Sequence, residues 1–410
     1  MHPVSPRAFR ILVVAVLSGL LTMSTPLASA QTGTAAPDGD CPNRLLPPPP
    51  VDTSERPPPG QESPEPPPVP DRPAGGERMG ECGPVLPPDI LNPPAGTTAQ
   101  SWLLHDLDSG DVLVAKNPHG RYRPASLIKV LLALVAIEEM DGDDRITPTT
   151  TDAEQECTCV GIKAGSSYAV DDLLHGLLMR SGNDVAHAFA TALGGVPAAL
   201  EKMNALAEQL GARDTHAATP SGLDGPGMMS SAYDLSLIFN YAMRQPEFAE
   251  AVATREIEFP GGRGEPAFPI YNDNRLLRDY PGFLGGKTGF TDDARHTYVG
   301  AAEREGRRLA VVMLRSEQRP TRVSAQAAEL LDYGFRVAAT GVAPVGRIFY
   351  TEPTSEAAAP TAGDEEAELA GSTTPEDPFG VTGWVITLVA AVLSIGGVIL
   401  VHRRRQAEGS

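Results

Sequence analysis

The stretch "RPASLIKVLLALVAIEEM", residues 123–140, places Ser126 and Lys129 three residues apart at the start of a long apolar run. Pro124 precedes the run and "DGDD" follows it, so the pattern predicts a helix between these two breakers. Side chains at positions i and i+3 of a helix lie on one face, within reach of a shared proton. A Ser at a helix start is commonly an N-cap, so the pair alone leaves a capping role and a catalytic role open.

The segments on either side of this helix predict a mixed fold. "SWLLHDL" and "VLVAKN", joined by the turn-forming "DSGD", predict a strand hairpin before it. After it, helical periodicity recurs in "VDDLLHGLLMR", "DVAHAFATAL", "VPAALEKMNALAEQLGA" and "SAYDLSLIFNYAMRQ". "HTYVGAAERE" and "RRLAVVMLR" then predict two more strands, and "TRVSAQAAELLDYGFRVA" predicts a closing helix. Strands from both ends of the domain, with a helical insertion between them, predict an α/β (α+β) architecture.

Two later triplets change the interpretation of the Ser-Lys pair. "SGN" brings Ser181 and Asn183 to a turn between two predicted helices, and "KTG" comes just before the closing strands. On a strand at the sheet edge, Lys287 offers a positive charge and Thr288 a hydroxyl, while Gly289 lets another backbone approach closely. An ordinary turn is the alternative for each triplet taken alone.

Ser-x-x-Lys, Ser-x-Asn and Lys-Thr-Gly, in this order, resemble the motifs of the penicillin-binding proteins and serine β-lactamases. "ASLIK", "SGND", "GGKTGFT" and "TPSGLDGPGMMSSAYDLSLI" are most similar to the low-molecular-mass, serine-type D-alanyl-D-alanine carboxypeptidases. The resemblance covers roughly residues 99–341. It implies a β-lactamase/transpeptidase-like fold, in which helices flank an antiparallel sheet and an all-helical subdomain is inserted.

The resemblance implies catalytic roles for three side chains. Ser126 is the expected nucleophile, Lys129 its base, and Ser181 a relay that carries the proton toward the leaving amine. Lysine acts as a base only when neutral, so burial and the charge of Lys287 are expected to lower its pKa. The oxyanion hole is expected to consist of the backbone N–H groups of Ser126 and Phe290.

Four residues are expected to bind the substrate. Asn183 would hydrogen-bond its amide, Lys287 and Thr288 its terminal carboxylate, and Gly289 would leave room for its backbone. No metal or organic cofactor is needed for this chemistry. The expected substrate is the D-Ala-D-Ala terminus of the peptidoglycan pentapeptide stem, and β-lactams are expected to acylate the same serine as covalent inhibitors.

Other functions remain open at this stage. In a serine β-lactamase a Glu after the second motif activates the deacylating water; Glu201 is the nearest candidate, but it lies within a helix and lacks the pattern Glu-x-x-Leu-Asn. A non-enzymatic β-lactam sensor or wall scaffold would not need the complete set of motifs. Endopeptidase action and weak transpeptidation would use the same acyl-enzyme.

Composition indicates which partners are excluded and whether the chain is exported. The net charge of -19, with no basic stripe in the sequence, argues against nucleic acid. Residues 1–30 have the layout of a secretory signal peptide, which predicts export. Residues 31–98 are proline-rich and poor in large apolar residues, so we expect a disordered or extended segment that serves as a spacer or as a ligand for proline-binding modules.

The C-terminal region predicts a membrane anchor. Residues 99–348 form the expected catalytic domain, and residues 349–381 an acidic, flexible tether. Residues 382–401 are uncharged and long enough to cross a bilayer, and Arg residues follow in the tail, residues 402–410. A buried core helix is the alternative. The expected protein is single-pass in the plasma membrane, with its catalytic domain on the extracytoplasmic face.

The four cysteines are expected to form disulfides, because the chain is exported. Four cysteines allow three pairings. A bridge between Cys41 and Cys82 is slightly favoured over bridges from these residues to Cys157 and Cys159. Neither spacing is typical of a zinc site.

Overall fold

A computed structural model describes residues 41–156 and 158–350. The strands within these ranges are β1 Pro84–Val85, β2 Ser101–Asp106, β3 Asp111–Lys116, β4 Arg145–Ile146, β5 Tyr168–Ala169, β6 Glu256–Phe259, β7 Phe268–Tyr271, β8 Phe283–Thr291, β9 Arg295–Arg304, β10 Arg307–Ser316 and β11 Gly346–Arg347.

Helices occupy most of the chain between β3 and β8. The α-helices of the described ranges are α1 Lys129–Glu139, α2 Thr150–Ala153, α3 Val170–Met179, α4 Asn183–Ala192, α5 Val196–Leu210, α6 Ala232–Ala242, α7 Pro246–Ala253, α8 Leu276–Asp279 and α9 Val323–Ala339. Two 3-10 segments, Glu77–Gly80 and Ala125–Ile128, accompany them.

The main sheet joins the two ends of the domain. Its strands are antiparallel in the order β1-β3-β2-β10-β9-β8, and β11 pairs with β3. The early strand β2 pairs directly with the late strand β10, with Leu103 opposite Val312. The predicted antiparallel sheet flanked by helices is confirmed, and β8 forms one edge of it.

Helices cover both faces of this sheet because its side chains alternate between two apolar cores. Leu103 and Val312 belong to the core shared with α1 and α6, whereas Leu104 and Val311 belong to the core beneath α9. The predicted helices over α1, α3, α4, α5, α6 and α9 are confirmed, and α1 contacts α3, α4 and α5 in the helical part. The sequence analysis did not predict α7 or the small β6-β7 sheet.

The first motif begins one turn earlier than its α-helix. Ser126 lies in the 3-10 segment Ala125–Ile128, and α1 begins at Lys129. Ala125 has a φ of 49°, a left-handed conformation that reverses the chain just before the serine. Every residue of α1 from Lys129 to Ala136 is buried, so the helix is a rigid base for this turn.

Residues 41–94, which we call the N-terminal strap, do not follow the prediction of disorder. The strap has little regular secondary structure, but it packs against the domain. Arg121 Nη1 donates to Leu45 O at 3.0 Å and to Pro67 O at 2.7 Å, and Arg123 Nη1 donates to Pro48 O at 2.7 Å. The prediction weighed apolar burial alone, whereas these carbonyl groups satisfy two buried guanidinium groups.

A buried carboxylate anchors the start of the strap. Asp214 accepts hydrogen bonds from Arg44 at 3.2 Å, from His119 at 2.7 Å and from Arg121 at 3.0 Å. Arg121 and Asp214 are almost fully buried, so each supplies the counter-charge that the other needs in a water-poor environment.

A disulfide joins two residues of the strap. Cys41 and Cys82 are bridged, which is the pairing that the sequence slightly favoured. Cys159 is also disulfide-bonded, and Cys157 lies outside the described residues.

Several predictions concern residues that the structure does not describe. The signal peptide at 1–30, the first residues of the proline-rich segment, almost all of the tether, the spanning segment at 382–401 and the tail lie outside residues 41–350. Among the helices that are described, none combines the length and the apolar character needed to cross a membrane.

Candidate active site

Ser126 and Lys129 are in hydrogen-bond contact. Lys129 Nζ lies 2.9 Å from Ser126 Oγ and 2.8 Å from Asn183 Oδ1, and it donates to the backbone oxygen of Ser221. The lysine is fully buried, while Ser126 is partly exposed to the cleft. The serine hydroxyl is therefore held between solvent-accessible space and a buried amine.

A neutral amine, with two N–H groups and one lone pair, can satisfy all three partners of Lys129. The carbonyl oxygens of Asn183 and Ser221 can only accept, so they take the two N–H groups. The lone pair is then left to accept the hydroxyl proton of Ser126. This arrangement is that of a base beside its nucleophile.

The surroundings of Lys129 favour its neutral form. Burial lowers its pKa well below the usual value, and the positive charge of Lys287 lowers it further. The carboxylates of Asp184 and Asp273 act in the opposite direction but do not outweigh these two causes.

The second motif lies on the opposite wall of the cleft. Ser181 has a φ of 60° in the turn between α3 and α4, and its side chain borders the cavity in front of Ser126. Asn183 is the first residue of α4; its amide nitrogen donates to Glu156 O at 2.7 Å while its oxygen accepts from Lys129. Asn183 thus contacts Lys129 directly, while Ser181 lines the same cavity as Ser126.

The third motif lies on β8, at the sheet edge beside Ser126. Lys287 is fully buried and donates to Thr288 O at 2.8 Å, and Thr288 Oγ1 donates to Asp273 Oδ2 at 2.9 Å. A Cβ added at Gly289 would lie 3.0 Å from the backbone nitrogen of Ser126. The absence of a side chain is therefore what allows β8 to approach the nucleophile.

Two cavities meet at the nucleophile, and Ser126 and Phe290 line both of them. Phe290 is 49% exposed. Its position next to Gly289 brings its backbone to the same opening as that of Ser126, where the sequence places the oxyanion hole.

One of these cavities has a cationic wall. It has a volume of about 340 Å³ and is bordered by Ser181, Thr288, Arg275 and Arg322. Lys287 is not among the residues that line it, so its charge acts from behind Thr288 rather than at the surface. Asp273 is the one carboxylate among the lining residues, and it accepts from Thr288 Oγ1. A carboxylate in this cavity would therefore be attracted by two guanidinium groups against one negative charge.

Ser221 and Gly222 were not predicted from the sequence as functional residues. Ser221 O accepts from Lys129, and a Cβ added at Gly222 would lie 2.1 Å from Ala125 O. Gly222 has a φ of 83°, and its backbone lies directly against the turn that carries Ser126. The segment "TPSGLDGPGMM" is part of the family resemblance, but no role was predicted for it.

Two groups of potential metal ligands occur in the described ranges. They are His119, Asp214 and Asp234, and Glu55, Asp224 and Asp293. In the first group the carboxylate of Asp214 is occupied by hydrogen bonds with Arg44, His119 and Arg121. In the second group Glu55 is paired with Arg123, and Asp293 Oδ1 accepts from Val51 N.

Known proteins resemble both the sequence and this geometry. A D-alanyl-D-alanine carboxypeptidase from Mycobacterium tuberculosis is 50% identical over 242 residues, which are 58% of this chain and 82% of the relative. A D-alanyl-D-alanine carboxypeptidase from Bacillus subtilis is 29% identical over 243 residues, which are 58% of this chain and 62% of that relative.

Solved structures agree. The crystal structure of a D-alanyl-D-alanine carboxypeptidase from Mycobacterium tuberculosis has a TM-score of 0.60 at 44% identity, over 65% of this chain and 100% of that one. A Streptomyces DD-transpeptidase has a TM-score of 0.57 at 26% identity, over 60% of this chain and 100% of that one. The sequence profile of the D-alanyl-D-alanine carboxypeptidase family matches residues 90–318, and the chain belongs to this family.

Proposed function

We propose that this protein hydrolyses the terminal D-Ala-D-Ala bond of peptidoglycan stem peptides through an acyl-enzyme on Ser126. The observation that carries the proposal is the contact between Ser126 Oγ and a buried Lys129 whose other partners can only accept hydrogen bonds. Membership of the carboxypeptidase family supports the same reaction.

In the acylation step Ser126 Oγ attacks the carbonyl carbon of the penultimate D-alanine while its proton passes to Lys129 Nζ. The negative charge that develops on the carbonyl oxygen is stabilised by the backbone N–H groups of Ser126 and Phe290. The substrate carboxylate lies against Thr288 and the two arginines of the cationic cavity.

Collapse of the intermediate breaks the peptide bond. The proton held by Lys129 passes to the leaving amine, with the hydroxyl of Ser181 as the relay, and D-alanine departs. Water then attacks the ester carbonyl and gives a proton to Lys129. The ester bond breaks and the shortened peptide departs, while the proton on Lys129 returns to Ser126 Oγ and restores the hydroxyl.

A β-lactam acylates Ser126 in the same way, because its ring amide occupies the position of the scissile bond. Glu201 is exposed on α5 and does not line either cavity at the nucleophile. With no carboxylate from that position to activate water, we expect a long-lived penicilloyl-enzyme rather than β-lactamase turnover.

The experiment is a D-alanine release assay with the purified protein and a peptide that ends in D-Ala-D-Ala. Release by the wild type, together with stoichiometric labelling by fluorescent penicillin, supports the proposal. Loss of both in Ser126→Ala assigns them to the same nucleophile. Penicillin labelling without D-alanine release would instead indicate a sensor, and rapid turnover of penicillin a β-lactamase.

We also propose that the enzyme is exported and held in the plasma membrane by residues 382–401. The support is the sequence: a signal-like start, an uncharged run of spanning length and Arg residues after it. Fractionation of cells that express the full chain, or a chain ending at residue 381, tests this. The full chain should sediment with membranes and the shortened one should not; equal distribution would contradict the proposal.

A further inference from the structure

The N-terminal strap contacts the domain beside the nucleophile through residues 51–55, which we call the strap bridge. Asp52 Oδ1 accepts from Ser54 N at 2.8 Å, and this local hydrogen bond turns the chain within the bridge. The two ends of the turn reach the domain in different ways. Val51 uses its backbone nitrogen, and Glu55 uses its side chain.

Glu55 contacts the chain just before the nucleophile. Both of its carboxylate oxygens accept from Arg123, which lies three residues before Ser126. Arg123 is 3% exposed and also donates to Pro48 O of the strap at 2.7 Å. A bidentate pair fixes the orientation of a guanidinium group as well as its distance. The strap bridge therefore holds the start of the turn that carries Ser126.

Val51 contacts the turn that follows β8. Its backbone nitrogen donates to Asp293 Oδ1, and Asp293 lies between β8 and β9, three residues after Phe290. Asp293 is 2% exposed, and its backbone oxygen accepts from Arg315 of β10 at 2.8 Å. The strap bridge is therefore attached at its other end to the chain just after Phe290.

The charges at this point connect three segments of the chain. Carboxylate oxygens of Glu55, Asp224 and Asp293 lie within 4.8 Å of one another. They come from the strap, from the loop between α5 and α6 and from the turn after β8. Burial alone would lower the pKa of Arg123, but the hydrogen bond to Glu55 and the charges of the three carboxylates outweigh burial and raise it. One buried guanidinium group thus attracts all three segments.

These contacts join the two backbone groups that the reaction needs close together. The N–H groups of Ser126 and Phe290 must both lie about 2.7 to 3.1 Å from one developing oxyanion. Within the domain, Thr297 Oγ1 of β9 donates to Pro124 O at 2.9 Å and so ties the turn at Ser126 to the sheet. The strap bridge is a second tie between this turn and this edge of the sheet. It comes from a segment that precedes the family match at 90–318.

We propose that the strap bridge positions the oxyanion hole, with Glu55 and Arg123 as positioning residues for acylation. This inference rests on the proposed function, and it makes the rate of that reaction depend on the N-terminal strap. Neither residue is among those that line the two cavities at Ser126, so neither acts by contact with the substrate. Loss of the bridge would leave both N–H groups present but less precisely aimed, which slows the step in which negative charge develops and leaves substrate binding unchanged.

The test is the acylation of the full chain by fluorescent penicillin in single turnovers, at a series of penicillin concentrations. The concentration dependence separates the dissociation constant of the non-covalent complex from the first-order rate of acylation. Loss of a whole oxyanion-hole donor typically slows an enzyme about 10²- to 10³-fold, and here both donors remain. Glu55→Ala should therefore slow acylation about threefold to tenfold and change the dissociation constant by less than about twofold.

Two further variants assign the effect to the pair of Glu55 and Arg123. Arg123→Lys keeps the charge but cannot form the bidentate pair, so it should also slow acylation. The double variant should be no slower than the slower single variant, because both substitutions break the same contact. Glu62→Ala is the matched control, since Glu62 is an exposed strap residue outside the strap bridge, and it should acylate at the wild-type rate.

A boronic acid gives a second readout, which a simple loss of stability would not change. Ser126 Oγ adds to boron, its proton passes to Lys129, and one boronate oxygen of the tetrahedral adduct occupies the oxyanion hole. The inhibition constant, measured by competition with fluorescent penicillin, should rise in Glu55→Ala by the same factor by which acylation slows.

A wild-type rate of acylation in Glu55→Ala would overturn the inference. A weaker non-covalent complex with an unchanged acylation rate would also overturn it, since the strap would then act on binding and not on the oxyanion hole. Failure of the proposed function has a different signature, because the wild type itself would then release no D-alanine, whatever the behaviour of Glu55→Ala.

Discussion

Asn183 Oδ1 accepts a hydrogen bond from Lys129 Nζ at 2.8 Å. The amide nitrogen of Asn183 donates to Glu156 O, which keeps the oxygen turned toward the lysine. Because that oxygen cannot donate, it occupies one N–H of the amine and leaves the lone pair for Ser126. Asn183 therefore orients the base. In this way a residue of the Ser-x-Asn motif acts through Lys129 of the Ser-x-x-Lys motif.

Replacement of Asn183 by Asp places a negative charge beside Lys129. The ion pair should raise the pKa of Lys129, because a nearby opposite charge favours the protonated form by about one to three units. The acid limb of kcat/KM for D-alanine release should then move to higher pH. The pH profile of Asn183→Asp measures this shift, and an unchanged acid limb would contradict the assignment of Lys129 as the base.

Replacement of Asp273 by Asn should shift the same limb in the opposite direction. Burial and then Lys287 lower the pKa of Lys129, while Asp273 raises it, so loss of the Asp273 charge lowers the pKa further. The amide oxygen of the variant can still accept from Thr288 Oγ1, so this hydrogen bond is expected to remain. The position of the acid limb in the pH profile tests the electrostatic effect separately, and a shift to higher pH would be inconsistent with it.

Gly222→Ala should displace the nucleophile. The new Cβ would overlap Ala125 O at 2.1 Å, and a φ of 83° disfavours alanine. We expect a loss of about 1 to 3 kcal/mol in the free energy of unfolding and a much slower acylation by penicillin. Gly225→Ala in the same loop is the control, because its nearest contact is 3.2 Å, to a side-chain methyl. Equal behaviour of the two variants would refute this role of Gly222.

Asp214→Asn should release the strap and destabilise the domain. Removal of one partner from a buried ion pair typically costs about 3 to 5 kcal/mol. Urea unfolding measures the stability, and limited proteolysis between residues 41 and 94 reports on the strap. Asp71→Asn, at an exposed strap position, is the control. A strap that stays as resistant as in the wild type would show that Asp214 does not anchor it.

The same carboxylate predicts a pH dependence of stability. Burial raises the pKa of Asp214, but the hydrogen bond and charge of His119, with the charges of Arg44 and Arg121, outweigh burial and lower it. A group whose pKa is lowered on folding stabilises the protein above its unfolded-state pKa. This contribution is lost as the pH falls through the folded-state pKa, and Asp214→Asn should lack it.

The sequence predicted the parts of the fold that local patterns encode. The apolar run after Lys129 and the alternation in β2, β3, β9 and β10 indicated their elements directly. Lys287 on a sheet edge followed from its place between glycines and strands. The predicted start of the helix at Ser126 was less accurate, because a left-handed residue before a 3-10 turn has no periodic pattern in the sequence.

The strap could not be predicted because its stabilising contacts are distant in sequence. Proline-rich composition argues against a core, yet here backbone carbonyls of the strap accept from Arg121 and Arg123. Neither arginine belongs to a motif, so no local pattern indicated these contacts. Ser221 was missed for a related reason, since it acts through its backbone oxygen and its side-chain identity gives no signal.

Proton transfer from Ser126 requires Lys129 to be neutral in the resting enzyme, and the ionisation of this one side chain can be measured. The chain has five lysines, so ¹³Cε-labelled lysine gives a spectrum in which Lys129→Arg identifies the resonance. We expect Lys129 to titrate well below the usual value of 10.5, because it is buried and lies near the charge of Lys287. Titration of Lys129 near 10.5 would contradict the role of Lys129 as a neutral base.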